Sequence, residues 1–227
     1  MEKEDSRLLW ERGLQFLGRQ TAAQCHEVTN VFNVINEMVG LMGDLAWGAQ
    51  NKGRPLDPDR LVELTGKIAA QVQRGNTIVR AINQFGHSAD TPRAVFDLRA
   101  VLEQITFIAR RPAALSKTAL ETDFPDQTVS LENSPLGFQQ AVFTALQIAL
   151  SASSERRRIT IGYTLVDSGA RIEVVSDDAL EHHDAVSEQV VFFRLLVQAL
   201  GGCVERLMEA DDPHRITMVF PKQTSEG

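Results

Sequence analysis

Along the first half of the chain the apolar residues recur every three or four positions. Val28, Val31/Phe32, Ile35, Met38/Val39, Met42 and Leu45/Ala46 lie about 3.5 residues apart on average, the period of a bundle seam. No proline falls between Asp5 and Trp47, so the pattern predicts one helix over that stretch, roughly 60 Å long at ~1.5 Å per residue. The run from Gly48 to Leu56, rich in Gly, Asn and Pro, predicts the break. A second helix then starts cleanly. Asp57 suits the N-cap, Pro58 the first helical position, and Asp59 the positive end of the dipole. Its seam reads Leu61, Leu64/Thr65, Ile68, Val72, Gly75, Ile78/Val79, Ile82 and Phe85. Gly75 costs about 1 kcal/mol of helix propensity there but permits close helix approach. The segment ends near Gly86, and the stretch from His87 to Arg93 reads as a linker. A lone antiparallel hairpin cannot bury both apolar stripes. Two hairpins close a four-helix bundle, so the pattern predicts a homodimer; the alternative is a hairpin packed on its own C-terminal domain.

Beyond the linker the pattern is mixed. Asp97 is placed to cap a helix from Leu98 to about Arg110, with Val101, Leu102, Ile105 and Ile108 on one face and Pro112 and Ser116 marking the exit. Ala119 to Asp123 alternates like a short strand, Phe124 begins a turn, and Thr128 to Leu131 reads as a second short strand. Ser134-Pro135 opens an apolar helix to about Ser153. The period then switches to two. Arg158–Val166 and Arg171–Val175 predict strands joined through Asp167-Ser168-Gly169. A loop from Ser176 to Asp184, a helix from Ala185 to Leu200 capped by Gly201-Gly202, and a strand pair at Cys203–Met208 and Ile216–Phe220 complete the chain. The fold class is therefore α+β: a helical hairpin over residues 1–88, then an α/β sandwich over residues 89–227 whose single sheet is covered by helices on one face.

Composition narrows the function. Of 227 residues, 43% are hydrophobic and 23% charged, enough apolar material for a core. The formal net charge of −7 argues against a general nucleic-acid binder, which needs a basic footprint. No apolar run approaches the ~18 residues of a membrane span, and the acidic N-terminus is unlike a signal peptide. The two cysteines, Cys25 and Cys203, lie far apart, so neither a disulfide framework nor a zinc site is expected. Together these traits predict a reduced, cytoplasmic protein. Cys25 reads as a semi-buried structural thiol. His182-His183 beside Asp184 makes a poor metal set, because adjacent side chains rarely converge on one ion, and Arg156-Arg157-Arg158 reads as a solvated strand edge.

The stretch Cys25-His26-Glu27-Val28-Thr29-Asn30, on the first long helix and ahead of a hairpin and sandwich, resembles the H-box of sensor histidine kinases. The likeness to that transmitter core extends over nearly the whole chain: a dimerising histidine-bearing hairpin, then an ATPase-like domain of the Bergerat (GHKL) type. With Val28 at seam position a, His26 falls at f and faces solvent, as a phosphoacceptor must. The same position also suits an ordinary surface histidine. The resemblance implies that Glu27 takes a proton from one ring nitrogen, and that Asn30, one turn on from His26, positions a water. The bland readings are a solvated carboxylate and a polar surface residue. A zinc-protease reading of His26-Glu27 fails, because Asn30 stands where a second His is needed.

The nucleotide elements of the family are not matched. Its two asparagines on the helix after Ser134 correspond here to Thr144 and Ile148. Its Asp-x-Gly-x-Gly is replaced by Ser176-Asp177-Asp178-Ala179-Leu180, leaving Asp177 or Asp178 as the sole candidates for a base contact, and the stretch from Ser187 to Phe193 contains no glycine. The expectation is a kinase-like histidine phosphotransferase that binds no cofactor. It would move phosphoryl groups through His26 between response-regulator receiver domains, which bring their own Mg²⁺. An upstream histidine kinase is a further possible partner. The alternatives are a dimeric pseudokinase scaffold and an ATP-dependent kinase with an unusual site.

Overall fold

The structure, a computed structural model, describes residues 3–127, 129–151, 157–166, 169–177, 188–209 and 212–221. The chain forms two compact units: Leu17–Gln84, and Met1–Phe16 together with Phe85–Gly227.

The first unit is built from helices α1 (Lys3–Lys52) and α2 (Pro58–His87). They run antiparallel. Early residues of α1 meet late residues of α2, with Val31 so close to Gly75 that a Cβ on the glycine would lie 3.2 Å from the valine Cγ1. The close approach expected of Gly75 is thus present. Asp57 caps α2 as expected, its Oδ1 accepting from the backbone N–H groups of Asp59 (3.0 Å) and Arg60 (3.3 Å). Gly48 does not break α1, however. The helix runs four residues further and stops at Gly53, whose φ of +61° ends it in the left-handed region. Val31, Leu64 and Ile78 are buried, whereas Phe32, Val39, Val62, Val72 and Val79 are exposed. Near the turn, Val39, Met42, Ala46, Leu56, Leu61 and Ile68 line an open apolar groove of about 670 Å³.

In the second unit, strand β1 (Ala94–Asp97) leads directly into helix α3 (Leu98–Leu115). Asp97 closes the strand and caps the helix, its Oδ1 accepting from Ala100 N–H at 2.8 Å. The structure corrects the helix's predicted exit: Pro112 lies inside α3, because the apolar face continues through Ala109 to Ala113, and both alanines are buried. That packing offsets the proline's missing donor. Strands β2 (Ala119–Asp123) and β3 (Ser130–Asn133) follow, β3 pairing antiparallel with β1. Thr128, where the second short strand was expected to begin, lies outside the described residues. Helix α4 (Pro135–Ser151) starts as predicted, with Ser134 Oγ accepting from Gly137 N–H at 3.2 Å.

Strands β4 (Arg158–Val166) and β5 (Gly169–Ser176), helix α5 (Glu188–Ala199), and strands β6 (Cys203–Glu209) and β7 (Asp212–Pro221) complete the unit. The five-stranded sheet has the order β2-β4-β5-β7-β6, with β2 parallel to β4 and every other pair antiparallel. Register places Ile161, Val174 and Ile216 in one row and Tyr163, Ile172 and Met218 in another. All six are buried on the face over which α3, α4 and α5 pack side by side. The opposite face is polar and carries the pairs Arg171–Glu205 (3.0 Å) and Arg215–Glu173 (2.6 Å). Gly201 (φ +75°) ends α5 as predicted, and at Gly202 a Cβ would lie 2.8 Å from both Val219 O and Phe220 Cδ1. The α+β class and a helical region followed by a helix-covered sheet are as the sequence predicted; the expectation of a single sheet is corrected, because β1 and β3 pair with each other as a separate two-stranded sheet.

The first turns of α1 belong to this unit. Phe16 stands edge-on to Phe85 (5.5 Å between ring centres) and tilts against Phe143 (5.4 Å), while Arg12 lies over the ring of Phe192. Arg157 is buried and Arg158 pairs with Glu121 at 3.2 Å, so the basic run is not simply a solvated edge; Arg156 lies outside the described residues.

Candidate functional site

His26 lies in the first unit on the exposed side of α1, flanked by exposed Cys25 and Thr29. The seam explains this. The buried row of the helix runs through Gln20, Gln24 and Val31, and the f position points away from it. The ring of His26 makes no hydrogen bond or ion pair among the described residues, and either nitrogen is open to a reaction partner. Cys25 is exposed rather than semi-buried, because its position flanks the seam instead of entering it. Thr29 turns its hydroxyl back to Cys25 O at 3.1 Å.

Glu27 and Asn30 are half-buried and joined to each other. Asn30 Nδ2 donates to Glu27 Oε1 at 3.4 Å, and Arg74 of α2 donates to Glu27 Oε2 at 2.6 Å. The Glu27 side chain is only 16% exposed, so this ion pair is shielded more than an ordinary surface pair. A carboxylate held at both oxygens is fixed in place, one residue along α1 from the phosphoacceptor candidate. Sequence reasoning misses Arg74, since it lies 47 residues from Glu27 and no local spacing joins them. The signal that could find it is helical register: once Gly75 is set against Val31, its neighbour Arg74 comes within reach of the turn before Val31.

In the second unit the two α4 positions that the resemblance matches to the family's asparagines are both in the core. Thr144 is 6% exposed and donates its hydroxyl to Gln140 O at 2.7 Å, one turn back in its own helix. Ile148 is 2% exposed and has no polar atom to offer. Asp177 is engaged in closing the sheet, its Oδ1 accepting from Arg158 N–H at 3.0 Å. Asp178, His182, His183, Asp184 and Ser187 lie outside the described residues. The residues that α4 places here do not fit a nucleotide's phosphates or their metal.

No protein-family model matches the chain, and no curated protein sequence matches it. Solved structures do match in fold. The Acinetobacter baumannii histidine kinase AdeS is similar at 12% identity and a TM-score of 0.50, over 82% of this chain and 96% of that one. The catalytic domain of the histidine kinase ThkA is also similar, at 12% identity and a TM-score of 0.50, over 58% of this chain and 98% of its own. The chain therefore has the fold of a histidine kinase core, with a GHKL-like sandwich behind a helical region. No helix among the described residues is long and apolar enough to cross a membrane.

Proposed function

We propose that this chain is a histidine phosphotransferase of a two-component phosphorelay, working through His26 and without ATP. A ring nitrogen of His26 attacks the phosphorus of a receiver domain's aspartyl phosphate. The N–P bond forms as the acyl O–P bond breaks, the carboxylate leaves, and the second ring nitrogen gives up its proton. The reverse sequence loads a second receiver. In this reading Glu27 serves as proton acceptor and Asn30 as water-positioning group, and the receivers carry the Mg²⁺ that balances the phosphoryl charge. A second copy of the chain covers the exposed apolar stripe of Phe32, Val39, Val72 and Val79 and closes a four-helix bundle.

The observation that carries this reading is the contrast between an open His26 on the hairpin and an α4 whose Thr144 and Ile148 are buried in the core of a kinase-like fold. The test is label transfer from a phosphorylated receiver domain to the purified protein, with His26→Ala and ATP alone as controls. Acid-labile label taken from the receiver but not from ATP, and lost in the variant, is the expected result. Label from ATP would restore the kinase reading. Regulator binding with no label from any receiver would favour a pseudokinase scaffold.

A further inference from the structure

The Arg74–Glu27 pair has a bearing on the chemistry at His26 that neither partner suggests alone. Glu27 adjoins His26 in sequence, and its carboxylate is mostly shielded from water, so its charge is poorly screened. The group that must approach His26 in the proposed reaction is an aspartyl phosphate, which is itself anionic. An unbalanced carboxylate one residue from His26 would repel it. Arg74 reaches across from α2 and places a guanidinium nitrogen 2.6 Å from Glu27 Oε2, while Asn30 occupies Oε1. The pair carries no net charge.

Resting on the phosphotransferase reading, we propose that Arg74 is a positioning residue for transfer at His26: it acts through Glu27, balancing and fixing that carboxylate so that an anionic phosphoryl donor can approach. Arg74 belongs to α2 and is half exposed, so a small polar substitute fits without opening the seam.

The experiment is a double-mutant cycle on the full chain. Phosphoryl transfer from a loaded receiver domain is timed for the wild type, Arg74→Gln, Glu27→Gln, the double variant and Arg74→Lys. With Glu27 in place, Arg74→Gln should lower kcat/KM about tenfold, the lower end of what local electrostatic steering supplies. The loss should fall mainly on KM and shrink as salt is raised. Arg74→Lys should keep most of the rate. In the Glu27→Gln background the same Arg74→Gln change should alter kcat/KM less than about twofold, since the carboxylate it balances is gone.

Thermal unfolding is read beside each rate, and the neutral double variant leaves no unpaired charge should the single one fold poorly. A tenfold loss that persists in the Glu27→Gln background overturns the proposal, because Arg74 would then act on the phosphoryl group or the fold directly. So does a loss confined to kcat and indifferent to salt. A wild type that takes no label removes the phosphotransferase reading and this inference with it. Label taken without any dependence on Arg74 removes the inference alone.

Discussion

The turn of α1 around His26 and the middle of α4 are the two places that the resemblance to histidine kinases marks for chemistry, and they are built in opposite ways. Around His26 the side chains are exposed or half-buried, polar, and tied to one another by Asn30–Glu27–Arg74. Along α4 nearly every residue from Phe138 to Leu150 is buried, and the polar ones turn inward, Thr144 to its own helix and Gln139 to Gln104 of α3 at 2.9 Å. A surface turn can be changed with little effect on stability, so its residues are free to be chosen for reactivity. A helix buried on all sides is held by packing, and each of its positions answers to the core first. Substitutions in the first region should therefore cost activity and spare stability, and those in the second should do the reverse.

The sharpest test on the α1 side is His26→Ala. It should abolish acid-labile label from a phosphorylated receiver entirely, while moving the unfolding midpoint by less than about 2 °C, because an exposed f position contributes little to packing. A large drop in midpoint would mean that the histidine is a structural residue after all. On the α4 side, Ile148→Asn reintroduces the family's residue. It should lower stability by about 3–5 kcal/mol in urea titration, since it removes a fully packed side chain and buries an amide with no partner. It should not bring nucleotide affinity with it. Tolerance at under about 1 kcal/mol, or a gain of ATP binding, would show that α4 is less committed to the core than its burial indicates.

Gly202 extends the same contrast to the sheet. The structure leaves no room for a Cβ there, with Val219 O and Phe220 Cδ1 both at 2.8 Å from where it would sit. Gly202→Ala should cost about 2 kcal/mol through forced movement of β7, measured by chemical denaturation with His26 labelling unchanged. Stability within about 0.5 kcal/mol of the wild type would mean that the end of α5 yields easily.

How much of this is legible in the sequence follows from how local each feature is. Caps are decided by neighbours within three residues, and Asp57, Asp97, Ser134 and Gly201 all cap where their identity predicts. Seams are legible because 3.5-residue spacing persists over many turns, so spacing alone puts His26 on the open face. Features set by distant partners are not legible. Strand β1 has only four residues and exists through its pairing with β3, which begins more than thirty residues on, so no local pattern announces it. Pro112 signals a helix end because the buried alanine beyond it, packed in the core, cannot be weighed from sequence. Arg157 reads with its charged neighbours, although it is buried just ahead of β4, in phase with the inward Ile159 and Ile161. Arg74 belongs to the same class, a residue whose meaning lies across a helix pair.

The smallest effect is the most discriminating for α4. Thr144 stands one turn before Ile148 and, like it, at a position where the family's resemblance places an asparagine, yet the two should respond differently to substitution. The Thr144 hydroxyl donates to Gln140 O at 2.7 Å, a carbonyl that already accepts the helix's own N–H from the same residue. Such back-bonding adds little stability and slightly disfavours the helix. Thr144→Val has nearly the same shape and leaves no polar atom unpaired, so it should shift stability by no more than about 0.5 kcal/mol in either direction. Receiver-to-His26 transfer should not change. A loss above about 1.5 kcal/mol would mean that the hydroxyl has a partner beyond its own helix, and would reopen α4 as a binding helix rather than a packed one.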